Sequence, residues 1–418
     1  MKIAIIGNMN NNGFSLLRYF RDLGADAHLF PFLNDGAGTL AHFTPEADSW
    51  DIERWRPYIH QLGVEDGPSA IVGWPKRFKR PPSKRHIRRL LSGFDRIVGS
   101  GIAPALMRRA GLKLDIFYPY ATGIEYVGVP QDLGQPGRIG PAKRIILEIV
   151  RRAQIAGIKQ ARHCINAEFS LTKKIFEEIG VTFLPWPIPM VYYTEPPAVA
   201  PDGGLSPFVD RIRSFEFRIF SHARLMWNRD PALSAAEWEI YNKHNDWLIR
   251  GFAEFVKAHP ASALILVEYG PDVASARDLC RDLGIEDNVV WLPKMSRKKI
   301  FLALAACNVG VGEFVLHEGA IWGGTGWEVL AAGKPLLQSL CFGDGAFARL
   351  FGYPPPPLLD IRSCDDVAAH LFALYRERER CEQIGRESQV WFNRYNGIAL
   401  ARKWLRLLEA TSTPANAR

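Results

Sequence analysis

The chain has no apolar run approaching the ~18 residues that a membrane-spanning helix needs, so no such helix is expected. Its opening, Met1-Lys2-Ile3-Ala4-Ile5-Ile6-Gly7, reads as a short strand, too brief for a signal-peptide core. The cysteines Cys164, Cys280, Cys307, Cys341, Cys364 and Cys381 are scattered and include no Cys-x-x-Cys pair. That argues against a disulfide framework or structural metal and for reduced, mostly buried thiols in a cytoplasmic protein. No histidine pair has metal-ligand spacing with a partner carboxylate, so no metal site is expected. Gly7–Gly13 lacks the pattern Gly-x-Gly-x-x-Gly and no acid closes the second strand, which disfavours a nicotinamide oxidoreductase. There is no nucleic-acid-binding motif and no short internal repeat.

What is present is the profile of an α/β protein. With 418 residues, the chain can bury two domain cores, and 47% hydrophobic with 23% charged residues excludes a disordered or fibrous class. Charge is lopsided. Residues 1–200 hold 26 Lys and Arg against 18 Asp and Glu, so the formal net charge of +8 belongs to this half. Its densest stretch is Lys76-Arg77-Phe78-Lys79-Arg80-Pro81-Pro82-Ser83-Lys84-Arg85-His86-Ile87-Arg88-Arg89. Such a run is a solvated loop entering a basic helix, a contact for anionic lipid headgroups or a phosphorylated acceptor, or, least favoured, a nucleic-acid contact.

The order of elements reads strand, Gly/Asn loop, helix, strand over Ile3–Ile6, Gly7–Gly13, Phe14–Leu23 and Ala27–Phe30. Further strands are expected at Ser69–Val72, Arg96–Gly99, Asp115–Tyr118 and His163–Asn166, with a helix over Lys143–Ala161. Pro and Gly dominate Glu195–Pro207, which places a linker over 196–214 between domains 1–195 and 215–385. The second domain restarts the alternation: strand Phe215–Ser221, helix Lys243–Ala258, strand Ala263–Tyr269, helix Val273–Leu283 and strand Asn288–Leu292. Then come a helix capped by Ser296, strand Val309–Gly312 and strand Pro335–Leu340. One long amphipathic run, Gln383–Leu408, makes 386–418 a helical segment expected to pack across both domains. Strands alternating with helices imply parallel, doubly wound sheets.

Three charged residues fall where strand-to-helix turns carry ligands. Arg224 follows the strand ending Ser221-His222-Ala223, Lys243 opens a helix, and Glu328 lies in Gly323-Gly324-Thr325-Gly326-Trp327-Glu328. Two cations and a Gly-rich helix start suit a diphosphate, and a carboxylate suits a hydroxyl. Gly323 and Gly324 would let backbone N–H groups approach a phosphate, with Thr325 as cap.

These motifs resemble those of GT-B glycosyltransferases, in particular the large retaining family dependent on nucleotide sugars. In that family a strand ends Gly-Arg-Leu, and a later Lys-Gly opens a helix followed by Leu-Ile. Here Ala223-Arg224-Leu225 and Lys243-His244, with Leu248-Ile249, take those places. A family Glu, seven residues and a second Glu precede Gly-x-Pro; Glu328 matches the second, before Gly333-Lys334-Pro335. The first would fall at Ala320, and the nearest carboxylate is Glu318. The resemblance implies two Rossmann-like domains facing a central cleft, with a C-terminal helix crossing back to the first. It implies that Arg224 and Lys243 hold the donor diphosphate, Glu318 orients the sugar, and Glu328 meets the ribose. Pro293 and Lys294 would rim the base pocket. Asn10, Asn12 and Gly13 of the first loop, with Tyr120, Thr122 and Glu125, would face the acceptor. The nucleotide diphosphate sugar is a co-substrate, and no cofactor or metal is implied. The expected reaction moves a sugar onto an acceptor hydroxyl with retention, in polysaccharide biosynthesis, on a glycan or lipid-linked acceptor. The expected site is the cytoplasm, with peripheral association to an anionic membrane through Lys76–Arg89. Ala320 motivates a rival, a degenerate protein that binds a nucleotide sugar or a partner without transfer.

Overall fold

In the computed structural model, the described residues are 1–36, 43–72, 81–120, 124–127, 140–167, 171–197, 206–317 and 323–410. The chain divides into two compact units, Met1–Tyr192 with Asn396–Arg418, and Tyr193–Tyr395. In the first, β1 (Lys2–Ile6), α1 (Asn12–Asp22) and β2 (Asp26–Phe30) form the opening βαβ. There follow α2 (Pro45–Asp48), α3 (Lys84–Leu91), β3 (Arg96–Gly99), α4 (Ala103–Ala110), β4 (Ile116–Phe117), α5 (Pro141–Gln160), β5 (His163–Cys164) and α6 (Leu171–Glu178). The sheet is parallel, in the order β2-β1-β3-β4-β5.

The second unit holds α7 (Ser206–Arg213), β6 (Phe217–Ser221), α8 (Ala235–Tyr241), α9 (Asn245–Ala258), β7 (Ser262–Val267), α10 (Val273–Asp282), β8 (Val289–Leu292) and α11 (Arg297–Ala306). It continues with β9 (Val309–Val311), α12 (Gly324–Ala331), β10 (Leu336–Gln338), α13 (Ala346–Phe351), β11 (Leu358–Asp360), α14 (Cys364–Arg376) and α15 (Arg378–Tyr395). Its strands are also parallel, ordered β11-β10-β9-β6-β7-β8. β7 is buried throughout and β6 at every position but the half-buried Arg218, because helices cover both sides, as α/β sheets require.

The last helix, α16 (Gly397–Ala410), returns to the first unit. Leu400, Trp404, Leu405 and Leu408 join Ile3, Ile5, Phe14 and Phe20 in one core cluster, and the Arg96 Nε donates to the Leu408 carbonyl at 2.9 Å. Each such buried side chain contributes about 1.5–3 kcal/mol.

Several details depart from expectation. Ser69–Val72 is not a strand: Pro68–Ala70 form a 3-10 turn opened by Pro68. Pro fixes φ for a helical turn and removes a ladder donor, which outweighs the β-branched Ile71-Val72. The run Gln383–Leu408 is two helices in different units, separated at Asn396, whose Oδ1 accepts the Gly397 N–H at 2.7 Å. The long helix of the second unit begins at Asn245, two residues after Lys243, and the first helix begins at Asn12 rather than Phe14.

Candidate functional site

In open α/β sheets, ligands bind beyond the carboxyl ends of strands where the strand order reverses. The chain leaves β6 for β7 on one side and returns to β9 on the other, so this point lies between β6 and β9. His222 and Arg224 follow β6, and Glu313 follows β9 by two residues. The α12 N-terminus completes the group: a Cβ on Gly323 would lie 3.4 Å from Glu313 Oε1, and one on Gly324 would lie 3.7 Å from Glu328 Oε1.

Met226 holds the two predicted cations in place. Its sulfur accepts from the Arg224 guanidinium at 2.7 Å, and its carbonyl accepts the Lys243 N–H at 2.9 Å. Its own N–H donates to Asn245 Oδ1 at 2.8 Å. Asp272 fixes the adjoining turn by accepting the backbone N–H groups of Trp227 and Asn228 at 2.6 and 2.9 Å. Arg224 has no ion pair among the described residues, and its buried Nε has no hydrogen-bond partner. Lys243 differs. Its ammonium lies 2.5 Å from Glu313 Oε1, with both side chains partly exposed at 17% and 15%.

Glu328, expected on the ribose, is 5% exposed and has both oxygens engaged. Its Oε2 pairs with His222 Nε2 at 2.6 Å, and its Oε1 accepts from Arg297 Nε at 2.6 Å. Burial pushes this carboxyl up, but the Arg297 charge and the His222 hydrogen bond outweigh burial and hold it below its usual value. Since Glu328 is therefore ionised, His222 Nε2 must carry the shared proton. Thr325 does not cap α12: Gly323 occupies the N-cap position, and the buried Thr325 hydroxyl has no partner among the described residues. Lys294 is exposed beside Pro293 after β8 and lies over the Tyr269 ring at 4.6 Å. Glu318 lies outside the described residues.

His222, Glu313 and Arg297 were missed from sequence. The signal for two of them was position: His222 and Glu313 each come within two residues of a strand end at the reversal point. Arg297 carried no such signal, because its partner is distant in the chain.

In the first unit the order reverses between β1 and β3. Gly7 turns there at φ 91°, and a Cβ on Gly13 would come within 2.2 Å of its carbonyl, so Gly13 permits a close backbone approach. Asn12 is buried, whereas Asn10 is exposed with φ 54°. Tyr120 and Glu125 come together: the Glu125 carboxylate accepts the Tyr120 N–H at 2.5 Å, and the Tyr120 hydroxyl donates to Asp66. Ile124, Glu125 and Tyr126 all have positive φ, a costly run for residues with side chains. Burial pushes Asp66 and Tyr120 up, so Tyr120 stays a donor. Thr122 lies outside the described residues.

Asp35 accepts the N–H groups of Asn8 and Phe32 at 2.7 and 2.8 Å. Burial nevertheless pushes it to about 7 from 3.8. An acid raised on folding retains its proton longer in the native state, so stability falls as pH rises from about 4 through 7. Asp35→Asn, whose amide oxygen can accept both bonds, is expected to raise stability at pH 8, with about 4 kcal/mol as an upper bound. At pH 3.5 the change should be near zero. Urea unfolding at the two pH values measures the difference; equal effects at both would contradict the assignment.

Among the described residues no group of acids, histidines and cysteines could hold a metal ion, and no helix is long and apolar enough to cross a membrane.

No protein-family model and no curated protein matches this chain. Solved structures do match over nearly the whole length. Anabaena HepE in complex with UDP is 14% identical, with a TM-score of 0.57 over 98% of this chain and 100% of that one. The pneumococcal O-GlcNAc transferase GtfA, with UDP and GlcNAc, is 12% identical, with a TM-score of 0.56 over 99% of both chains. Sucrose-phosphate synthase from Thermosynechococcus elongatus is 12% identical, with a TM-score of 0.55 over 98% of this chain and 99% of that one. At such identities the likeness establishes the fold: two Rossmann-like units of the GT-B type.

Proposed function

We propose that this protein is a glycosyltransferase that moves a sugar from a nucleotide diphosphate sugar to an acceptor hydroxyl. The observation that carries the reading is Arg224, a cation without an acidic partner among the described residues. Met226 fixes it beside Lys243 at the strand-order reversal. Cleaving a sugar–phosphate bond leaves charge on the diphosphate, and preset cations stabilise that charge as it develops. The amide groups of Gly323 and Gly324 at the start of α12 add a second anion contact.

Glu313 is the carboxylate we assign to the sugar hydroxyls, in the role expected of Glu318. It is partly exposed and held by Lys243, whereas Glu328 serves to lock His222 and Arg297. By the resemblance of its motifs the reaction retains configuration. The sugar C–O bond to phosphate breaks, the departing phosphate oxygen takes the acceptor proton, and the new glycosidic bond forms on the same face. Arg224 and Lys243 supply the positive charge, so we assign no metal. Tyr120 and Glu125, fixed to each other and to Asp66, are the proposed acceptor contacts, with Asn10. The acceptor is a glycan or lipid-linked sugar, reached at the cytoplasmic face of a membrane.

HepE has been solved with UDP-glucose, which makes uridine nucleotides the first ligands to try. At 100 times its dissociation constant a native-state ligand adds about 2.7 kcal/mol of stability, readily seen as a raised melting temperature. A panel of nucleotide sugars in which none raises it would sink the reading. The rival, a binder without turnover, is favoured by Ala320 where the motif expects a carboxylate. Donor binding with neither hydrolysis nor transfer on any acceptor would establish that rival instead.

A further inference from the structure

We propose that one face of the first unit docks onto anionic lipid headgroups, their phosphates seated in a cationic cavity between α3, α4 and α5. This reading stands without the glycosyltransferase assignment, since it concerns binding alone. The cavity measures about 550 Å³, and Lys84, Arg108, Arg109 and Lys113 line it with no acid among its described lining residues. It lies at the end of α4 and just before β4, at the end of the sheet opposite Gly7, Ser100 and Tyr120. It is therefore separate from the reversal point of this unit.

The local charge is one-sided. α3, α4 and α5 carry eleven Lys and Arg and a single acid, Glu148, which Arg152 neutralises at 2.7 Å. Arg109 is fixed by donating to the Pro82 carbonyl at 2.6 Å, and Arg88 donates to the Ala110 carbonyl. Lys84, Arg108 and Lys113 have no ion pair among the described residues, so their charge is available to a ligand.

A cavity of this kind alone would suit any phosphate compound. What selects a lipid surface is α5. Among the described residues five large hydrophobic side chains are exposed, and two of them, Ile145 at 63% and Ile149 at 45%, stand one turn apart on this helix. Arg144 and Arg152 flank them around a shallow hollow. Ala153 and Gln160, which line the cationic cavity, lie on the same stripe of α5, at helical spacing from Ile145 and Ile149. Exposed isoleucines beside arginines and leading to a cationic cavity are the pattern of an interfacial surface: apolar tips enter the headgroup boundary and cations contact phosphate. A second copy of the chain is the poorer occupant, because a two-fold contact would oppose two faces of the same charge.

The test is flotation of the full chain with phosphatidylcholine vesicles made with and without phosphatidylglycerol. Binding is expected only with phosphatidylglycerol and should weaken as salt rises. Each cation near an anionic surface is worth roughly fivefold. Arg108→Glu with Lys113→Glu should therefore lower partitioning by roughly 100-fold or more, and Ile145→Ser with Ile149→Ser by about tenfold. All four positions are exposed, so melting should be unchanged. Equal flotation on both vesicle types, or undiminished binding by the charge-reversed variant, would overturn the proposal. So would inorganic pyrophosphate binding that needs Arg108 and Lys113 without any vesicle binding, which would make the ligand soluble. A concentration-dependent dimer abolished by the isoleucine substitutions would overturn it in favour of self-association.

Discussion

Replacing Arg224 with alanine is expected to lower sugar transfer by roughly 10–100-fold or more, since a charged hydrogen bond is worth about 1.5–3 kcal/mol. Folding should be little changed, because the residue is only half-buried and its hydrogen bond runs to a thioether. Arg224→Lys should recover only part of the loss: a point charge lacks the planar fork that meets two phosphate oxygens. Lys243→Ala is expected to be at least as damaging, for an additional reason. It removes a cation and also releases the Glu313 carboxylate, now 2.5 Å from the ammonium, to repel the diphosphate. The double variant Lys243→Ala with Glu313→Ala should then lose less donor affinity than the sum of the two single changes, a coupling that a double-mutant cycle resolves. Steady-state kinetics with a verified nucleotide sugar supply the numbers. Near-normal turnover by Arg224→Ala and Lys243→Ala would remove both from the reaction.

The sequence made the sheets legible because buried parallel strands are short apolar runs separated by helical periods. Arg96–Gly99 and Val309–Val311 could be read almost to the residue. Failures came where a run of three or four residues was the only signal. Ser69–Val72 looked like a strand, whereas Pro68 set a helical turn; Leu358–Asp360 is a strand, but it follows Pro354–Pro357 and is too brief to register. At the site, the cations Arg224 and Lys243 were visible because each sits beside the element that positions it. Their partners were not, because pairing is a tertiary fact. Lys243 meets Glu313 seventy residues on, and Glu328 meets His222 more than a hundred residues back. Only the order of strands brings those groups together, and no local spacing encodes it.

Glu328→Gln is expected to cost about 3–5 kcal/mol at pH 7, because it removes the carboxylate that pairs with the buried Arg297 at 2.6 Å. For a unit of this size that corresponds to a fall of roughly 6–20 °C in melting temperature. The pH dependence follows from the depressed carboxyl. Its contribution is fully present above the unfolded value, near 4.3, and is lost as pH falls through the lower folded value. The gap between wild type and Glu328→Gln should therefore be wide at pH 7 and should shrink as pH falls below about 4 toward the lowered folded value. His222 provides an internal control. Glutamine can place an N–H where Nε2 now donates to Glu328, whereas asparagine is too short, so His222→Gln should melt above His222→Asn. Calorimetry of the three variants across pH 3–8 tests both points. A Glu328→Gln protein with wild-type melting at pH 7 would show that this buried cluster does not hold the second unit together, and the carboxylate would then be free for the ribose.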